Sequence, residues 1–402
     1  MLAFRCHYFL KYGSHRWMNA SDALRRVRDV LQREVVVNPM RAQHLKLIRW
    51  SEFTGSTAEQ LSTSAMPAIS SSDMLPGKDR DFSSDYDEAL FLLKTNTPEQ
   101  RLDIPLPYSQ YLKLEECWSK FKSAKKFSEK RYPSLSYNSL MQIATVVTTQ
   151  SALHDYTAAV FREIIASSVN EYLSIHEPRA IHRIKNYGST TMDEPSFYGR
   201  TSKEPDQSFG YGGPGREPQM QVAIECGFSE NYKALCRDKD LWIQQLGAKA
   251  VILICLNESP RYKSPRTAYE NIEDAATAVK NMVKYVAKAM ANVLEQGNYG
   301  PIEYRSHIWV GKLDEVFVEV WRADGQQPVR KWLIRHGHPN PLPRTIGLKI
   351  SDFFPENEWT ACKIPDSDVR FHAGRYLFED IMEAMKLTVK ARFVRFLTSK
   401  KA

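Results

Sequence analysis

The sequence predicts an α/β protein whose core runs α-β-β-β-α-β over residues 151–256 around a mixed sheet, with extra strands and helices after it. Three observations carry this reading. Residues 250–256 are apolar at every position (Ala-Val-Ile-Leu-Ile-Cys-Leu), as in a strand covered on both faces. Two amphipathic helices, 151–173 and 229–246, flank the strand region. Two short strands between them, 206–211 and 220–226, carry a carboxylate near an end, Asp206 opening the first and Glu225 closing the second.

Leu24, Val27, Val30, Leu31 and Val35 fall at helical spacing, so residues 20–36 are read as an amphipathic helix within an N-terminal helical segment, 1–50. Residues 51–84 are rich in Ser, Thr, Gly and Asp without periodicity, which describes a flexible linker ahead of a domain over 85–402. Pro105 and Pro107 interrupt regular structure before Tyr108. A charged helix is expected over 109–130 and a short helical segment over 138–147. The first core helix takes Leu153, Tyr156, Val160 and Ile164 as its apolar stripe. A short strand at 180–185 precedes the two carboxylate strands. Ser229 is the N-cap of the next helix, which leads into the apolar strand. A long helix over 268–296 stops at Gly297. Residues 308–310 and 316–321 alternate as a hairpin, 330–334 forms a further strand, and 376–397 is a closing helix with a basic end.

Composition narrows the function classes. The chain has 402 residues, 43% hydrophobic and 25% charged, with a net charge of +8 that permits attraction to a phosphate backbone. The six cysteines show no C-x-x-C spacing, so neither a disulfide framework nor a zinc site is expected. No apolar run reaches the roughly 18 residues of a membrane span. Cysteines inside apolar strands and helices read as reduced, buried thiols, so an intracellular protein, nuclear or cytoplasmic, is expected. Arg5, Lys11 and Arg16 read as an ordinary basic start without an apolar signal core, with a transit peptide as the alternative. The glycines at 210, 212, 213 and 215 lie between strands without a following helix and read as a loop, not a phosphate cradle. His336-Gly337-His338 likewise reads as a loop. Lys280, Lys284 and Lys288 form a helical stripe suited to phosphate contact, as does the basic end with Lys386, Lys390, Arg392, Arg395, Lys400 and Lys401.

Carboxylates from two neighbouring strand ends can converge on one hard cation. The competing reading makes Asp206 a turn acid after Pro205 and Glu225 a surface acid. The ordered set of Asp206, Glu225 and the following helix and strand resembles the PD-(D/E)XK nuclease superfamily, in a divergent fungal-type form. One departure is plain: Gly227 stands where the lysine of the E-x-K tripeptide belongs. The run Glu225, Ser229, Lys239, Trp242, Gly247 and Val251-Ile252-Leu253-Ile254 is similar to superfamily members that carry this lysine on the following helix. The resemblance therefore implies Lys239 as the displaced lysine, with Lys233 as the alternative. It implies Asp206, Glu225 and the Cys226 carbonyl as ligands of Mg²⁺ or Mn²⁺, and Glu163 on the first core helix as an auxiliary acid, with Glu171 weaker. His154 is read as a core-edge histidine. The expected activity is metal-dependent hydrolysis of DNA, with RNA second and a homodimer allowed. The rival is a catalytically degenerate module of the same fold that binds nucleic acid or a protein.

Overall fold

The computed structural model describes residues 85–95, 99–124, 132–212, 219–228, 232–265, 274–295, 299–374 and 376–399. The helix expected over 20–36, the linker at 51–84, Gly213, Gly215, Ser229, Gly297, Lys400 and Lys401 lie outside these residues. The chain is a mixed α/β protein. It begins with α1 (Asp85–Lys94), β1 (Arg101–Pro105), α2 (Tyr108–Ala124), β2 (Ser134–Asn138) and β3 (Ile143–Val147). The middle third contains α3 (Ala152–His176), β4 (Ile184–Asn186), β5 (Met192–Ser196), β6 (Gly199–Lys203), β7 (Gln207–Tyr211), β8 (Gln219–Phe228), α4 (Tyr232–Gln244) and β9 (Ala250–Ser259). It is followed by α5 (Ala275–Glu295), β10 (Ile302–Tyr304), β11 (His307–Val310), β12 (Lys312–Arg322), β13 (Lys331–Arg335), β14 (His338–Pro339), β15 (Thr345–Lys349), α6 (Glu356–Cys362), β16 (Asp368–Arg370) and α7 (Tyr376–Ser399).

A seven-stranded sheet, ordered β14-β13-β12-β9-β8-β7-β4, is the larger layer. Strand β9 is central, and all its residues from Ala250 to Leu256 are buried, which is why that run carries no polar side chain. Strands β8 and β9 pair in parallel, Val222 opposite Ala250 through Phe228 opposite Leu256, with α4 as the crossover. Every other pairing in the sheet is antiparallel. Strand pleating divides β8. Val222, Ile224 and Cys226 join the core shared with α3 and α7, whereas Ala223 joins the core under α4. A second sheet, β1-β3-β2-β6-β5, lays Ile104, Tyr137, Ala144 and Val146 on the helices α1 and α2.

Several elements differ from the sequence expectation. Residues 138–147 are not helical but form the turn and second strand of the β2–β3 hairpin. Ile143, Thr145, Val146 and Val147 are β-branched and favour a strand, and the Asn138 side chain closes the turn by accepting the Met141 N–H. Residues 308–310 and 316–321 do not pair with each other. Strand β11 pairs with β10, and β12 pairs with β9 over its length. Burial on both faces explains this choice: Val316, Phe317, Val318 and Val320 need neighbours that only β9 and β13 supply. Residues 178–180 are a 3₁₀ turn, and the strand there is displaced to β4. On α3 the buried stripe is Leu153, Thr157, Phe161, Ile165 and Val169, while Tyr156 is exposed. Of the basic residues at the end of the closing helix, Arg392 is buried and paired with Glu99 and Glu258, so it is not open to a phosphate.

Candidate functional site

The two sheets approach each other above β8, and the space between them is a cleft of about 620 Å³. Asp206, Glu225, Lys203, Asp238, His154 and Arg101 all line it. Each is placed by a local rule. Lys203 ends β6, and Glu204-Pro205 turns the chain so that Asp206 precedes β7. Glu225 points from β8 toward α4, where Leu235, Asp238 and Trp242 share one helical face at i, i+3 and i+7. His154 occupies the first turn of α3, its N–H held by the N-cap Ser151 hydroxyl at 3.1 Å.

Glu225 is buried and so is not the surface acid of the competing reading, and Asp206, which does sit in the bend after Pro205, is buried as well. Asp206 Oδ2 accepts the Cys226 N–H at 2.8 Å, and Oδ1 accepts the Gln150 amide at 3.4 Å. His154 Nε2 lies 3.1 Å from Asp206 Oδ2, an ion pair when the imidazole is protonated. Burial pulls the His154 pKa down, yet the Asp206 carboxylate, with Asp155, outweighs it and lifts the imidazole to about 10. Glu225 Oε1 accepts the Trp242 indole N–H and lies 3.5 Å from Lys203 Nζ. Burial raises Glu225 to about 8; Lys203 opposes this, while the charges of Asp206 and Asp238 add to it.

Lys203 is the bridge. Its Nζ lies 3.1 Å from Asp238 and 3.5 Å from Glu225. Burial alone would lower it, but Asp238 and Glu225 raise it to about 12, so it is a fixed ammonium. Asp238 is held at about 2: burial opposes ionisation, but Arg101 and Lys203 overcome it. Arg101 grips Asp238 bidentately at 2.7 and 3.0 Å.

The structure thus gathers Asp206 and Glu225 with Cys226 in one cleft, and it does not bring Lys239 or Glu163 there. Lys239 lies over the Trp321 ring at 4.2 Å and pairs with Asp240. It sits one position, about 100°, from the face that carries Asp238. Lys233 is exposed and does not line the cleft. Glu163 is exposed and pairs with Arg162, because it lies midway between the buried Phe161 and Ile165 on the opposite side of α3. Glu171 is exposed as well. Lys203, Asp238 and Arg101 were not singled out by sequence. The one available signal was that Lys203 immediately precedes the Glu204-Pro205-Asp206 stretch.

The donor set suits a hard divalent cation in part. Two carboxylates supply oxygen, and the contacts of Glu225 with Trp242 and Lys203 both fall on Oε1. The extended strand that aims the Cys226 N–H at Asp206 sends its C=O off the same edge. Among the described residues, no three His, Cys, Asp or Glu side chains are arranged as a complete metal cage. Substrate oxygens and water would complete such a site, as is usual for Mg²⁺. No family model, no curated protein and no solved structure matches this chain.

Proposed function

We propose that the chain is a divalent-metal-dependent phosphodiesterase of PD-(D/E)XK type, acting on DNA with RNA second. The observation that carries this reading is the Lys203 ammonium, 3.5 Å from Glu225 in the cleft that also holds Asp206. The acid-acid-lysine set is then present, with its lysine delivered by β6 instead of the E-x-K position. Within the larger sheet and its helices the order α3-β4-β7-β8-α4-β9, interrupted by β5 and β6 of the second sheet and with β8 and β9 parallel neighbours, supports the same superfamily reading. Free thiols at Cys117, Cys226, Cys236, Cys255 and Cys362 suit an intracellular setting, nuclear or cytoplasmic. Among the described residues, no helix is long and apolar enough to cross a membrane.

In this reading Asp206, Glu225 and the Cys226 carbonyl hold Mg²⁺ or Mn²⁺. The cation would polarise the scissile phosphodiester and lower the pKa of an attacking water. Lys203 contributes a charge that does not titrate near neutrality, placed to stabilise hydroxide and the charge developing on phosphorus. Trp242 and Cys226 orient the two carboxylates through N–H donors. Asp238 and Arg101 hold Lys203 in place from the other side.

A specific observation favours the degenerate rival. Lys203 is nearer to Asp238 than to Glu225, so the site is already balanced in charge. Cleavage of labelled DNA and RNA with Mg²⁺ or Mn²⁺ separates the two. Asp206→Asn and Lys203→Met should each lower the rate by about a hundredfold or more, while Lys239→Met should leave it nearly unchanged. Wild-type protein inert with every divalent metal would leave the binding module as the standing reading.

A further inference from the structure

The acid pair is roofed. Asp206, Glu225 and Lys203 are only 3%, 5% and 7% exposed. Facing Asp206 and Glu225, the second sheet, which also contributes Lys203, lines the cleft with Arg101, Asp103, Ser134, Ser136 and Thr145. This roof is tied on both flanks. On the α4 side Arg101 grips Asp238, Arg237 pairs with Asp103, and Gln245 bonds Thr201 at 2.6 Å and Asn138 at 3.0 Å. On the α7 side Glu99 pairs with Arg392 at 2.6 Å and Arg395 at 3.4 Å. A layer braced by charge pairs on two sides does not swing aside to admit a rod-shaped ligand.

Size points the same way. The cleft holds about 620 Å³, within the range of roughly 300–1,000 Å³ typical of small-ligand pockets. A duplex is a stiff rod, and a strand must be extracted from it before its backbone can run into a narrow recess. An unpaired strand needs no extraction.

Two features outside the acid pair suit an unpaired strand. Arg261 lines the cleft, is exposed and has no ion-pair partner among the described residues, whereas the ring of its neighbour Tyr262 is already covered by the Arg392 guanidinium at 4.2 Å. A separate small recess of about 20 Å³ shares Arg101, Ser136 and Thr145 with the cleft and reaches Met141, at the β2–β3 turn. The Ser196 and Ser139 hydroxyls join this turn to the adjacent β5–β6 turn at 2.7 Å. Four large apolar side chains stand exposed on the two turns: Leu140 52%, Met141 52%, Phe197 93% and Tyr198 51%. Aromatic side chains beside a charged groove are the usual platform for unpaired bases.

Taking the nuclease reading as its premise, we infer that the cleft takes a single-stranded polynucleotide, a free end, flap or overhang, and that the paired turns receive unpaired bases where the strand leaves the recess. The full chain is assayed with Mn²⁺ on one sequence presented as single strand, blunt duplex and duplex with a long overhang, each in DNA and RNA form. Binding of the same set is followed by fluorescence anisotropy in metal-free buffer. The single strand and the overhang should be cut at least tenfold faster than the blunt duplex, with cuts confined to unpaired nucleotides. Phe197→Ala with Tyr198→Ala should weaken single-strand binding at least fivefold and leave the melting temperature unchanged. The DNA and RNA arms identify the sugar. Blunt duplex cut as fast as single strand overturns the inference and leaves the nuclease reading intact. No cleavage of any form removes the nuclease reading, and the anisotropy then decides: equal affinity for duplex and single strand overturns the inference, and a tenfold preference for single strand upholds the occupant.

Discussion

The charge that Lys203 brings to the cleft cannot come from position 227. A Cβ on Gly227 would lie 2.4 Å from Leu235 Cδ1 and 3.0 Å from its Cγ. Lys203 and Glu225 therefore settle the site's electrostatics together, and Glu225 is the group that pH will report. Its folded pKa of about 8 lies above the ordinary 4.5 because burial, helped by Asp206 and Asp238 and opposed by Lys203, favours the neutral acid. The folded state then holds a proton that the unfolded chain releases, so stability is present below pH 4.5 and falls as pH rises toward 8. Glu225→Gln keeps an acceptor for Trp242 and removes the buried charge. Without added metal it should raise stability at pH 8 by on the order of 2 kcal/mol and flatten the decline between pH 5 and 8. Urea denaturation across that range measures it, and an unchanged slope would remove Glu225 as the cause. Asp206 and Glu225 were legible in the sequence because acids beside apolar strand runs are conspicuous. Lys203 was not, because β6 alternates weakly and pairs into the other sheet.

Helix α4 is fixed against β8 by the contact of Leu235 with the bare backbone of Gly227. Gly227→Ala should cost about 1–3 kcal/mol, since the added methyl forces Leu235 from its place. In a Leu235→Ala background the same change fills space and should cost nothing or stabilise. A double-mutant cycle by chemical denaturation checks this, and additive losses would show that the two residues do not meet. The same contact explains how far α4 could be read from sequence. Its existence follows from its amphipathic pattern, but the choice between the Asp238 face and the Lys239 face depends on which turn rests on Gly227. Strand β9 was legible throughout because burial on both faces leaves an unbroken apolar run. The β2–β3 hairpin was not, because its turn is closed by the Asn138 side chain without glycine, and Leu140 and Met141 in the turn, with apolar residues on either side, fit a short helix equally well.

At the scale of the whole molecule the net charge of +8 invites a reading as a general polyanion binder, but its distribution resists one. The cations of the cleft are already spent on neighbours: Arg101 and Lys203 on Asp238, Arg237 on Asp103, and Arg392 on Glu99 and Glu258. Groups neutralised within the protein displace few counterions when a strand binds, so Arg261 carries most of the electrostatic exchange there. The exposed stripe of Lys280, Lys284 and Lys288 on α5 belongs to a different element, and none of the three lines the cleft. Each phosphate neutralised on a single strand contributes about −0.7 to the slope of log affinity against log salt concentration. Binding through the cleft, with Arg261 as its main unpaired cation, should therefore give a slope of about −1, whereas a strand lying along the three α5 lysines would give about −2 or steeper. Anisotropy titrations of single-stranded DNA from 50 to 300 mM NaCl, with about fivefold steps in protein concentration, distinguish the two. Arg261→Ala should make the shallow slope shallower still by roughly 0.7, while replacing all three α5 lysines should leave it unchanged. A steep slope that collapses only when the lysines are replaced would move the nucleic-acid surface from the cleft to α5.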